Sequence, residues 1–260
     1  MSVEVVHWNP RRPIAPGFVG RLLPVRRPVN NFGDLLGPLI VRRLVDRLNL
    51  KPARHQHRLV AVGSILRLAA DGDVIWGAGA NGKSVDKPLD ATHLDVRAVR
   101  GPLTRKYLRD QGIACPEVFG DPGLLIGHLW TRAELRGPRP ARGVTIVPNL
   151  HDFPQYRRDP RVIDPRASVW DVVGRIASSE MVVGSSLHGV IIAESLGIPA
   201  CLVVSGTEPR FKYDDYFLGT GRAAPYLAPD VDSAIGSGGA PPLDWSPTAL
   251  TEAFPRDLWT

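Results

Sequence analysis

The sequence predicts a mostly parallel α/β fold built from two Rossmann-like halves. Two observations carry this. Short apolar runs alternate along the chain with segments whose apolar residues recur at helical spacing, the pattern of βαβ units. The clearest unit is Met181-Val-Val-Gly-Ser-Ser-Leu-His-Gly-Val-Ile-Ile-Ala-Glu-Ser-Leu-Gly-Ile-Pro199. It reads as a buried strand at Met181 to Val183, a small polar turn, a helix from about Val190 to Leu196 stopped by Gly197 and Pro199, and a second strand at Ala200 to Val204.

The other elements follow in order. Val3 to Trp8 is the first strand, and a Pro- and Arg-rich loop runs from Pro10 to Pro28. Asn31, as N-cap, and Asp34, in the first turn, open a helix whose apolar face holds Leu36, Leu39, Ile40 and Leu44, with Arg42, Arg43, Asp46 and Arg47 opposite. Strands are expected at Arg58 to Val62, Asp73 to Trp76 and Leu94 to Val99. Pro102 to Gln111 is a helix with proline at its first position and Gly112 beyond its end. Asp121 in Gly-Asp-Pro reads as a turn former. Arg132 to Arg142 reads as a linker, Gly143 to Val147 as a strand and Val169 to Ser178 as a helix. This gives an N-terminal half over 1–137, a C-terminal half over 138–229, and a Gly/Pro-rich tail over 230–260 with a short helix starting at Ser246-Pro247.

Composition narrows the function. With 43% hydrophobic and 22% charged residues, 260 residues can bury a sizeable core. The net charge of +6 comes mainly from arginines scattered through every segment. No basic helix or aromatic-interleaved basic strand stands out, which argues against nucleic acid and leaves an acidic substrate or an anionic surface. Cys115 and Cys201 are isolated, so no metal site is expected. The N-terminus lacks the layout of a signal peptide and no apolar run reaches membrane-spanning length, so a cytoplasmic location is expected.

Ser185, Ser186 and His188 fall at the carboxyl edge of a strand and the start of a helix. Ligands bind at that edge in open α/β sheets, and N–H groups with the helix dipole favour an anion there. The stretch Gly77-Ala-Gly-Ala-Asn-Gly-Lys-Ser84 satisfies the P-loop pattern, yet no helix is expected to follow, because Pro88 would break it in the second turn. It reads as a glycine-rich loop facing a ligand.

Eight segments occur in a telling order: Asn30-Asn-Phe-Gly-Asp34; the pair Val62-Gly-Ser64 and Trp76-Gly-Ala-Gly79; Val99-Arg-Gly-Pro-Leu-Thr104; Phe119-Gly-Asp-Pro122; Ile146-Val-Pro148; Ser185-Ser-Leu-His-Gly189; and Phe211-Lys-Tyr-Asp-Asp-Tyr216. In this order and spacing the chain resembles the polysaccharide pyruvyl transferase family, in its short bacterial form, from about residue 28 to 220. The resemblance implies a two-domain arrangement like that of glycosyltransferase B. It also implies transfer of pyruvate, as a cyclic ketal, from phosphoenolpyruvate to two hydroxyls of a sugar or lipid-linked oligosaccharide, with no cofactor. Such a protein would work in the cytoplasm or at the inner face of the membrane; peripheral membrane association and a homo-oligomer are both compatible with it.

Phosphoenolpyruvate chemistry calls for cationic and N–H donors and for a general acid. On the matched positions the expected catalytic residues are His188, as acid at the methylene carbon, and Asp34, which would orient or deprotonate the acceptor hydroxyl. Arg100, Ser185, Ser186, Gly189, Arg210 and Lys212 make the expected donor site; Asn30, Asn31, Gly77 and Gly79 lie on the expected acceptor side. Some relatives carry an arginine where this chain has Ser186, and many a histidine where it has Asn149, so the missing charge is expected from Arg100, Arg210 or Lys212. Two other functions fit the same fold: a nucleotide-sugar-dependent glycosyltransferase and a repurposed sugar-binding protein.

Overall fold

The computed structural model describes residues 3–13, 25–52 and 56–260. Among the described residues ten strands lie in chain order at Val3–Val6 (β1), Arg11–Pro13 (β2), Arg26–Pro28 (β3), His57–Val60 (β4), Val74–Trp76 (β5), Asp95–Ala98 (β6), Arg142–Ile146 (β7), Ser179–Gly184 (β8), Ala200–Val203 (β9) and Leu227–Ala228 (β10). They form two four-stranded parallel sheets, β1-β4-β5-β6 and β10-β9-β8-β7, with β2 and β3 paired antiparallel as a separate ribbon. The ribbon occupies the two ends of the stretch expected to be loop; 14–24 fall outside the described residues. Every residue of β5 and β9 is buried. This is why these strands read as continuous apolar runs: in a parallel sheet, helices cover both faces.

The helices obey the same logic. Leu36–Arg47 buries Leu36, Gly37, Ile40, Val41 and Leu44, one face of a 3.6-residue repeat, against β1. Pro102–Arg109 begins with proline, and Val169–Ala177 is capped by Ser168, whose hydroxyl accepts the Asp171 amide. One apolar core joins both sheets. It takes Val3, Leu36 and Trp76 from the first half, Leu124 to Leu129 from the connection, and Val182, Val190 and Ile191 from the second.

Three sequence expectations need correction. The segment expected as a linker contains the helix Arg132–Arg136, closed by a reciprocal capping box between Thr131 and Glu134 and anchored by buried Leu135. Its first arginine donates to the carbonyls of Ala177 and Ser179, tying it to the second sheet. The helix after β8 runs Leu187–Ser195, three residues earlier than expected, so His188 sits in its first turn. The tail is also more than an appendage. Its helices are Val231–Gly236, which packs against β8 and β9, and Thr248–Glu252; the end of the chain then returns to the first half. There Trp76 donates its indole N–H to the Leu250 carbonyl at 2.8 Å, and Phe254 meets the Trp76 ring edge-on at a centroid distance of 5.0 Å. Lys51 and Thr260 exchange backbone hydrogen bonds.

Phe254 is 3% exposed and contacts aromatic rings on two sides. Phe254→Ala is therefore expected to cost about 3–5 kcal/mol of stability. Urea unfolding followed by tryptophan fluorescence tests this; a loss below about 1 kcal/mol would mean that the C-terminal segment is not part of the cooperative core.

Candidate active site

The carboxyl ends of both parallel sheets face a shared cavity of about 280 Å³. Residues that follow β1, β4, β5, β7, β8 and β9 line it, together with the turn that precedes the helix Leu36–Arg47. Convergence at strand carboxyl ends is the general rule for ligand sites in open parallel sheets.

The first half contributes the turn Asn31–Asp34. Asn31 does not cap the following helix through its side chain, contrary to expectation. Its amide instead donates to Asp34 Oδ2 at 2.6 Å and fixes the carboxylate toward the cavity. Burial pushes the Asp34 carboxyl above its ordinary value, against the opposing pull of Asn31, His188 and Lys212. The residue before Asp34, Gly33, touches the imidazole of His188. A Cβ built on Gly33 would collide with Nδ1 of that ring, so only glycine lets the two halves approach this closely.

From the second half comes the helix Leu187–Ser195. Ser186 is its N-cap, its hydroxyl accepting the Gly189 amide at 3.3 Å, and both Ser186 and His188 line the cavity. Lys212, the second residue of the helix Phe211–Gly219, pairs with Glu208 at 3.0 Å. Burial lowers the Lys212 pKa, with Glu208 opposing. Burial also works against ionisation of Glu208, but Lys212 and Lys83 outweigh it and hold this carboxyl below its usual value.

Lys83 arrives from the other half, where its loop resembled a P-loop. Asn81, Lys83 and Ser84 line the cavity, and Lys83 bridges to Glu208. No helix follows the loop, so the phosphate-binding geometry of a P-loop is absent. Arg67, in the 3₁₀ turn Leu66–Leu68, adds an exposed cation to the lining. The cavity thus joins two carboxylates (Asp34 and Glu208), three basic side chains (Arg67, Lys83 and Lys212) and two histidines (His151 and His188).

Several expected site residues lie elsewhere. Arg100 is fully buried and committed: its guanidinium donates to Asp215, to the Ser64 hydroxyl at 2.8 Å and to the Ala80 carbonyl at 3.0 Å. Gly79 lies flat against that guanidinium, where any side chain would collide. Ser185 is also fully buried, its hydroxyl accepting from the backbone and side-chain amides of Asn149. Asn149 bridges to Asp152 and Ser205 as well, which orders the loops after β7 and β9. Arg210 pairs with Asp214 outside the cavity, and Gly189 packs on Val147. Asn30 exchanges hydrogen bonds with Asn9, and Gly77 makes a left-handed turn against Pro122. The positive charge that an arginine before Leu187 would supply therefore comes at this cavity from Lys212, Lys83 and Arg67. Sequence reasoning missed Lys83, Arg67 and Glu208. For Lys83 the available signal was the ligand-facing loop itself, read without a role for its lysine.

Asp34 supplies a signed test. Its raised pKa means that burial favours the neutral acid. The stability this contributes is complete below the unfolded-state value near 3.9 and is lost as pH rises through the folded-state value. Asp34→Asn removes the buried charge and keeps the shape, so its melting temperature is expected to exceed wild type near pH 7, the difference closing as pH falls toward 4. A variant less stable than wild type at pH 7 would show that the carboxylate is paid back in the folded state by its partners.

Among the described residues no helix is long and apolar enough to cross a membrane, and no cluster of His, Cys, Asp and Glu is arranged to hold a metal. The chain is 29% identical over 198 residues to the succinoglycan biosynthesis protein ExoV of Rhizobium meliloti, a match covering 72% of this chain and 60% of that protein. It is also 29% identical over 205 residues to an uncharacterized protein of Acanthamoeba polyphaga mimivirus, covering 72% and 69%. A crystal structure of a functional uncharacterized protein from Klebsiella pneumoniae superposes on 72% of this chain and 83% of its own, with a TM-score of 0.46 and 12% identity. The sequence profile of the polysaccharide pyruvyl transferase family matches residues 31–206, which take in most of the cavity lining, and on this match the chain belongs to that family.

Proposed function

We propose that the protein transfers pyruvate as a ketal from phosphoenolpyruvate to a sugar of a polysaccharide or of its lipid-linked precursor. The observation that carries this reading is the content of one cavity: His188 and a half-buried carboxylate, Asp34, beside Lys212, Lys83 and Arg67. A donor bearing both a carboxylate and a phosphate needs several cations in a small space, and its methylene carbon needs a proton donor.

In this reading the lysines and Arg67, with the N-terminus of the helix Leu187–Ser195, bind the phosphate and carboxylate. His188 as imidazolium gives its proton to the methylene carbon, and C2 takes on oxocarbenium character. A sugar hydroxyl adds to C2 as Asp34 accepts its proton. The C2–O bond to phosphate then breaks, and the second hydroxyl closes the ketal. The diol loses two protons overall: one is balanced by the new methyl hydrogen and the other leaves with phosphate. Burial raises the affinity of Asp34 for a proton, which makes it a stronger base than an exposed carboxylate.

The same reading takes the N-terminal half as the acceptor side and the C-terminal half as the donor side, arranged as in glycosyltransferase B. A lipid-linked acceptor would bring the protein into peripheral contact with the inner face of the membrane.

Phosphoenolpyruvate is expected to raise the melting temperature and to release phosphate when a suitable acceptor is present, while ATP and nucleotide sugars do neither. A larger shift with a nucleotide sugar, with nucleotide released, would favour a glycosyltransferase instead. In heavy water the transferred group should carry one solvent deuteron in its methyl, seen by NMR; an undeuterated methyl rules out protonation by His188 or any other exchangeable acid. Lys83→Ala should raise KM for phosphoenolpyruvate by about tenfold, the loss of one charge-assisted contact, with kcat within a few-fold. Unchanged KM would remove Lys83 from the donor site.

A further inference from the structure

Asp121 follows the glycine of Gly-Asp-Pro and is fully buried. Its two carboxylate oxygens have different surroundings. Oδ1 accepts the Gly123 amide at 2.8 Å and starts the 3₁₀ turn Pro122–Leu125, the turn-forming role its sequence context predicts. Oδ2 is buried without a hydrogen-bond partner, and so is Nε2 of His188. These two atoms face each other at 3.6 Å.

Buried polar atoms without partners are rare, and each carries a desolvation cost. Among the described residues three side-chain atoms are in this position, and two of the three are neighbours. Among the described residues no lysine or arginine forms an ion pair with Asp121; His188 is the group that does. The separation is just beyond a hydrogen bond, as is common for site contacts that tighten when substrate is bound.

We infer that Asp121 is the positioning residue of His188. Its Oδ2 accepts the Nε2 proton, which sets the ring's orientation and leaves Nδ1, beside Gly33, as the nitrogen that exchanges a proton with the substrate. A carboxylate behind an imidazole fixes its tautomer and stabilises the imidazolium. The inference deepens the reading of His188 as general acid and rests on it for its catalytic consequence, but the pairing can be read without any reaction.

Asp121→Asn is the informative variant. Its amide oxygen can still accept the Gly123 N–H, so the turn is kept, while its NH₂ group would donate to Nε2 and force the opposite tautomer. With ¹⁵N-labelled histidine, and with His188→Gln to identify the signal, NMR should show neutral His188 protonated on Nε2 in the wild type and on Nδ1 in Asp121→Asn. Turnover should fall on the order of 10²- to 10⁴-fold, with KM for phosphoenolpyruvate changed only a few-fold. A wild-type His188 whose neutral form carries its proton on Nδ1 overturns the proposal, even if Asp121→Asn does not fold. So does a tautomer that is the same in both proteins. A tautomer that switches while turnover holds supports the pairing and counts against His188 as the general acid.

Discussion

The structure depends on one close approach, that of Gly33 to His188. The carboxyl ends of two separate parallel sheets face the same small volume, and each half brings one titratable side chain to it on its own turn. Asp34 is fixed by Asn31 in the first half, and His188 by its helix in the second. The imidazole fits between them because residue 33 has no Cβ. Each half alone would present an ordinary strand-end loop, and the chemistry arises where the two meet.

That approach is held from outside the cavity. Arg100 of the first half and Asp215 of the second form a fully buried ion pair, with Thr104 adding backbone and hydroxyl hydrogen bonds to the same carboxylate. Buried ion pairs contribute little net stability, but breaking one is severe because the remaining charge is uncompensated. The pair therefore acts mainly on specificity: it admits one relative placement of the halves. Lys83 and Glu208 make a second link across the same junction, this time within the cavity. An anion bound beside Lys83 would compete with Glu208 for it, which would couple occupancy of the cavity to this link between the halves.

Much of this is legible in the sequence, and the limits have physical causes. The strands and most helices were readable because parallel strands buried on both faces leave uninterrupted apolar runs, and because proline, glycine and serine mark helix ends. The helix Arg132–Arg136 was hidden by an arginine- and proline-rich composition, although the capping box Thr131 to Glu134 was present to be read. Of the residues expected at the site, His188, Asp34, Asn31, Ser186 and Lys212 line the cavity, and all sit at strand ends or helix starts, where local sequence dictates position. Arg100 lies outside that lining for the opposite reason. Its partner is 115 residues away, and no local pattern tells an arginine that binds substrate from one that binds a buried aspartate. The same distance hid Glu208, whose role is set by Lys83, 125 residues away.

The motifs that carry the family resemblance thus divide into two kinds of work. Asn-Phe-Gly-Asp and Ser-Leu-His-Gly line the cavity and bring Asp34 and His188 to it. Arg-Gly-Pro-Leu-Thr and Tyr-Asp-Asp-Tyr meet in the buried pair behind it, where Gly101 lets the Asp215 backbone pass in close contact. Gly-Asp-Pro stands between the two kinds: one oxygen of Asp121 builds a turn, and the other faces the histidine that the cavity presents to its ligand. A motif can therefore mark a site without touching its ligand, because fixing an imidazole to within a few tenths of an ångström takes groups behind it as well as in front.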